Sequence, residues 1–158
     1  MIPAALLTLI ALFTAACGDS NDDSATTQEP DTANADPGDV EVIDAWSTAL
    51  REGDVEAAAE FFAIPSTAEN GPTVRLTSRA DVRLFNASLP CGAILVSASS
   101  QGEFTTATFE LTERPGPGSC GAGTGEEAQT AFVIEHAKIV EWRRVALQGP
   151  EPAPGETV

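Results

Sequence analysis

A single change of hydrophobic period, at Pro90, constrains the fold of this chain more than any other feature. Before it the apolar residues recur at helical spacing; after it they alternate or run together in short β-branched blocks. Ile43, Trp46 and Leu50 lie at i, i+3 and i+7, an apolar stripe along one helix face, and Gly53 supplies a C-terminal stop. Asp54 can cap a second helix running through Ala57-Ala58-Ala59 to Phe61 and Phe62, ended by Pro65. A short extended piece, Ser66 to Asn70, meets the turn Asn70-Gly71-Pro72, and Thr73 to Thr77 alternates as a strand. Ser78 caps a third helix from Arg79 to Ser88, with Val82 and Phe85 on one side.

Beyond Pro90 four segments read as strands: Ala93–Ser99, Glu103–Glu113, Ala128–Glu135 and Lys138–Val145. In the second, Ala107, Phe109 and Leu111 alternate with Thr106, Thr108 and Glu110, the pattern of a sheet wet on one side. Short connections make these strands an antiparallel meander, so the loop after the second strand lies at the end where the first begins. Cys120 is in that loop, and Cys91 immediately precedes the first strand. Their spacing is unlike Cys-x-x-Cys, and one histidine cannot complete a metal site, so a disulfide is expected and no metal or cofactor is. Helices followed by a long meander make the class α+β.

The flanks differ from this domain. Ile2 to Ala16 is apolar and uncharged, and a helix over Met1–Ala16 would span roughly 24 Å at about 1.5 Å per residue. That falls short of the ~30 Å bilayer core and suits a signal peptide over residues 1–16. Thr14-Ala15-Ala16-Cys17 resembles the lipobox of bacterial lipoproteins, in which the cysteine receives a diacylglycerol and, after cleavage, becomes the N-terminus. It differs from that pattern at Thr14, where Leu is usual, and in having no Lys or Arg before Arg51. The resemblance implies a palmitate-type lipid on Cys17 and a place on the extracytoplasmic face of the cell membrane. Simple secretion after cleavage near Ala16 is the alternative. An oxidising compartment is also where Cys91 and Cys120 would pair.

Between Asp19 and Asp39 stand seven acidic residues and no basic one, among Ser, Thr, Asn, Gly and Pro. This composition predicts a flexible tether over residues 17–39. Gly149-Pro-Glu-Pro-Ala-Pro-Gly-Glu predicts an unfolded tail over 148–158, leaving 40–147 as one domain. With a formal net charge of −16, the chain lacks the clustered Lys and Arg that nucleic acid binding needs.

Ala45-Trp46, then Gly53-Asp54-Val55-Glu56-Ala57-Ala58 and Phe61-Phe62-Ala63, resemble the opening of SnoaL-like proteins of the nuclear transport factor 2 (NTF2) superfamily. Phe132 to Val145 resembles their last hairpin, although His136-Ala137 stands where the turn is usually Asp-Gly. The resemblance covers about Val40 to Val145. It implies a cone: three N-terminal helices packed on a curved antiparallel sheet, with an apolar cavity at the mouth. Some such proteins are isomerases, dehydratases or cyclases acting on hydrophobic small molecules; others bind small apolar ligands or protein partners without catalysis, and many dimerise through the outer sheet face. Here Thr106, Thr108 and Glu110 make that face polar.

Enzymes of this type carry Asp, His, Tyr or Asn inside the cone. This chain has no tyrosine, and its one histidine, His136, falls at a hairpin tip. Asp44 is expected on the wet face of the first helix, Asp81 in the first turn of the third as capping charge, and Glu110 on the outer face. The candidate lining is Trp46, Phe62, Phe85, Phe109, Phe132 and Trp142, with Arg143 and Arg144 beside them. Alternation sends Arg143 and Arg144 to opposite faces. One goes with Val140 and Trp142, the other with Ile139, Glu141 and Val145; the inward one has a ligand anion, Glu69 or Glu141 as partner. Which is inward stays open. No catalytic residue is assigned, and binding is the preferred reading over a ketosteroid-isomerase-like enzyme using an inward Asp or Glu. Asn86-Ala-Ser88 matches a glycosylation sequon set on a helix, where sugar attachment is not expected.

Overall fold

The computed structural model describes residues 29–147. The leader, Cys17 and the tail from residue 148 onward therefore lie outside the described residues, as does residue 28 and what precedes it. The elements run β1 (Asp31–Asn34), α1 (Pro37–Glu52), α2 (Val55–Glu60), β2 (Phe62–Glu69), β3 (Thr73–Leu76), α3 (Arg79–Ser88), β4 (Gly92–Gln101), β5 (Phe104–Thr112), β6 (Glu127–Glu135) and β7 (Lys138–Val145). The three helices and the switch to strands after Pro90 appear in the expected order.

Each helix carries its own start and stop. Asp36 caps α1 by accepting from the backbone N–H of Gly38 and Asp39, and Pro37 follows, where its missing N–H costs nothing. Gly53 ends the helix in the left-handed region at φ 78°. A Cβ there would lie 2.8 Å from the Pro115 carbonyl oxygen, so both conformation and space demand glycine. Ser78 and Asp81 form a reciprocal capping box on α3.

All seven strands form one sheet in the order β1-β4-β5-β6-β7-β2-β3. Its centre, β4 to β7, is the expected antiparallel meander. The sheet as a whole is mixed, which corrects the antiparallel expectation: β1 pairs with β4 and β2 with β7 in parallel. These two pairings join segments far apart in sequence, so no local alternation announces them. Within the β2–β7 pairing the register shifts between Phe62 and Thr67, a stretch holding Pro65, which has no N–H to give the ladder. The second helix also stops earlier than expected, at Glu60, and Phe62 already belongs to β2.

The boundary at residue 40 is corrected too. Residues 31–39, assigned to the acidic tether, form β1 and the first turn of α1. Side chains hold this segment: Ser100 Oγ accepts from the Asp36 N–H at 2.8 Å, and Thr105 Oγ1 donates to Asp39 at 2.5 Å. Of the aspartates in this segment, Asp36 is the helix cap and Asp39 lies in the first turn.

Between helices and sheet lies an aromatic core centred on Trp46. Its ring meets Phe62, Phe109, Phe132 and Trp142 edge to face, with centroids 5.6–6.4 Å apart. The indole N–H donates to Asn86 Oδ1 at 2.9 Å, and the Asn86 amide donates to the Val82 carbonyl at 2.9 Å. Asn86 is fully buried, which agrees with reading its sequon as accidental. Cys91 and Cys120 are joined by a disulfide between the start of β4 and the β5–β6 loop, as the meander required.

Candidate functional site

The inner face of the meander, α1 and the α3–β4 corner enclose a pocket of about 80 Å³. Its buried wall is Trp46, Leu50, Phe109 and Trp142. Leu89, Pro90 and Cys91 make one lip, so the disulfide borders the opening; Asn70, Thr130 and Arg144 supply polar atoms.

Neighbouring strands place these groups by register. Thr130 on β6 faces Arg144 on β7, and Phe132 faces Trp142 two residues along. A bulge decides which arginine enters. The β6–β7 register shifts between Val133 and Ile134, where Val133 pairs with Glu141 and Ile134 with Ile139, leaving Val140 extra. Ile139 and Trp142 are therefore both buried although three residues apart. Arg144 follows Trp142 into the pocket wall. Arg143 turns the other way, bonds Glu141, lies 3.5 Å from Glu69 and sits 5.5 Å over the Phe104 ring. Strict alternation across Ile139 to Arg143 fails for this reason, while the grouping of Trp142 with Arg144 holds.

Of the eight candidate lining residues, Trp46, Phe109, Trp142 and Arg144 border the pocket. Phe62, Phe85 and Phe132 are buried core, packed against Trp46 or Trp142 and outside the pocket wall. On the strands Phe62 and Phe132 point to the same inner side as Phe109 and Trp142, and Phe85 on α3 lies on a buried helix face as Trp46 does on α1, so sequence pattern does not separate core from pocket. Asp44, Glu110 and His136 are exposed, as expected; His136 and Ala137 form the β6–β7 turn with φ of 52° and 57°. Asp81 accepts from the Thr77 and Ser78 backbone N–H groups, with the Thr77 bond first among those that hold its carboxyl below the usual aspartate range.

Three structural supports of the site went unread in the sequence. Arg114, 9 % exposed, lays its guanidinium against the C-terminal carbonyls of α3. Nη2 donates to Leu89 at 2.6 Å and Asn86 at 3.0 Å, Nε donates to Leu89 at 3.0 Å, and Nη1 reaches Leu50 at 3.4 Å. Burial pulls its pKa below the ordinary arginine value. Arg114 thus fixes the Leu89–Cys91 lip. Glu113, beside it, accepts from the Gly121 and Cys120 N–H groups at 2.8 and 3.2 Å, which holds its carboxyl below the usual glutamate range and shapes the disulfide loop. Asn86 carries the third role, orienting the Trp46 wall. Its signal was present: it lies four residues after Val82, on the buried face of α3.

No Asp, Glu or His borders this pocket among the described residues. Nor do the described residues contain a group of three or more His, Cys, Asp or Glu placed to hold a metal ion.

No family model matches this sequence, and no curated protein matches it. Solved structures do. A candidate polyketide cyclase from Sinorhizobium meliloti superposes with a TM-score of 0.52 at 13% identity, over 66% of this chain and 94% of its own. A candidate ketosteroid isomerase from Kribbella flavida gives 0.52 at 15% identity, over 73% and 82%. An NTF2-like protein of unknown function from Cytophaga hutchinsonii gives 0.53 at 9% identity, over 67% and 87%. At such identities the likeness establishes the fold. The domain has the NTF2-like α+β fold.

Proposed function

We propose that this protein is a lipid-anchored extracytoplasmic binding protein whose NTF2-like domain holds a small, largely apolar molecule without transforming it. One observation carries the reading: an aromatic pocket at the mouth of the cone whose described wall has a single ionisable side chain, the Arg144 cation. General acid–base chemistry on a hydrophobic substrate needs a group that can take up and release a proton within hydrogen-bond reach of it. An arginine is a poor candidate for that task because it stays protonated. The apolar floor and a few polar atoms at the rim are what small-molecule sites commonly combine. The Thr14-Ala15-Ala16-Cys17 junction supports the anchor, and the Cys91–Cys120 bridge suits an oxidising compartment.

Native mass spectrometry of the protein recovered from its host's membranes tests the binding role. A small apolar adduct is expected, and Ala128→Trp, which fills the pocket, should remove it while the circular dichroism stays native. Protein that flies bare, or an adduct that survives the substitution, refutes the role. Cys17→Ser should move the protein from the membrane to the soluble fraction; full retention on membranes refutes the anchor.

A further inference from the structure

Trp142, in the pocket wall, carries an unused donor. Trp142 is 4 % exposed, and its indole Nε1–H meets no acceptor among the described residues. The contrast with Trp46 is direct, since that indole is satisfied by Asn86. A buried N–H is ordinarily paired, so an orphan in a pocket wall points to an acceptor that arrives from outside. Two residues along the same strand stands the exposed Arg144, which, like Arg51 and Arg75, forms no ion pair or hydrogen bond with a described side chain, and of these three it is the one that borders the pocket. Thr130, 5 % exposed, adds a hydroxyl opposite Arg144.

We infer that the pocket is selective for a small organic acid, its apolar body against Trp46, Phe109 and Leu50, one oxygen accepting from Trp142 Nε1–H, and its carboxylate beside Arg144. The inference rests on the ligand-binding reading and deepens it. An indole N–H and a guanidinium are both donor-only groups, so a ligand that satisfies them must bring acceptors. A guanidinium matches a carboxylate in charge and in its fork of donors. An amine would meet like charge at the rim. In a chain of net charge −16, an unpaired cation beside an apolar cavity is also the place where the local field can favour an anion. Size narrows the class further. At about 80 Å³ the pocket is smaller than the ~150 Å³ cavity that takes up benzene, so the enclosed part suits an aliphatic chain of roughly three to five carbons.

The two tryptophans provide the readout, because each gives one indole N–H resonance. The full, disulfide-intact chain, labelled with ¹⁵N, is titrated separately with butanoate, butan-1-ol and butylammonium at matched ionic strength. Butanoate should shift the Trp142 indole resonance saturably, and butylammonium should not. Arg144→Gln should weaken butanoate about tenfold, and Arg143→Gln, on the outer face, should leave it unchanged. Each variant is accepted only if its remaining spectrum overlays the parent's. If butan-1-ol binds as tightly as butanoate, or Arg144→Gln has no effect, the pocket stands and the acid selectivity falls. If no probe moves resonances of the pocket wall, the ligand-binding reading falls with it.

Discussion

Replacing Arg114 by Met keeps an apolar stem of similar length and removes the guanidinium. Two carbonyls accept well-formed bonds, that of Leu89 from Nη2 and Nε (2.6 and 3.0 Å) and that of Asn86 from Nη2 (3.0 Å); the contacts to Ala87 (3.3 Å) and Leu50 (3.4 Å) are long and add little. At about 1.5 kcal/mol for each of these two carbonyls, the paired bonds onto Leu89 counted once, the loss is about 3 kcal/mol. The favourable placement of a cation at a helix C-terminus overlaps this figure and is not added to it. The Leu89 carbonyl would suffer most, because it sits in a buried corner and has Arg114 as its donor twice over. For a domain of this size the change corresponds to a Tm lower by about 10 °C. Urea unfolding with the disulfide intact gives the cleaner measure, with the midpoint falling and the slope unchanged. Arg114→Lys retains the charge but not the planar fork and should recover less than half of the loss. A Met variant within about 1 kcal/mol of the parent, or a Lys variant equal to it, would refute the view that this fork anchors the lip of the pocket.

Cys91→Ala opens a loop with a sequence separation of 29 and should cost about 3 kcal/mol, lowering Tm by several degrees in calorimetry under oxidising conditions; an unchanged Tm would contradict it. Glu113 and Asp81 have depressed folded pKa values, so the stability they contribute is complete above their ordinary values of 4.5 and 3.8 and is lost as pH falls through the folded ones. Tm should accordingly drop below about pH 4, and Glu113→Gln should lower Tm at pH 7 yet narrow the difference between pH 7 and pH 3; parallel curves would count against the loop-shaping role. Ala137→Gly relieves a non-glycine residue at φ 57° and should stabilise by about 0.5–1 kcal/mol, read as a higher urea midpoint.

Much of the fold was legible because its signals are local. The stripe Ile43-Trp46-Leu50, the Ser78–Asp81 cap and the alternation through Phe109 each involve a few neighbouring residues, and each appears in the structure. The Cys91–Cys120 pairing followed from counting strand ends, since an antiparallel meander reverses direction at every short turn. The candidate site was only half legible. Aromatic residues on the inward faces of helices and sheet all read alike, yet Trp46, Phe109 and Trp142 border space while Phe62, Phe85 and Phe132 fill it. The acidic composition of residues 31–39 hid the Asp36-Pro37 helix start, which is itself a recognisable cap followed by proline.

Pattern along the chain was enough to specify three helices, four antiparallel strands, a disulfide and an aromatic inner face, because propensity, capping and periodicity act within about ten residues. Only tertiary packing could settle the rest. The parallel partners of β4 and β7, the Val140 bulge that turns Arg144 inward, and the fit of Arg114 onto the end of α3 all depend on where distant segments meet. Their free energy comes from contacts that no short stretch of sequence contains, and the pocket exists where those contacts stop short of filling the cone.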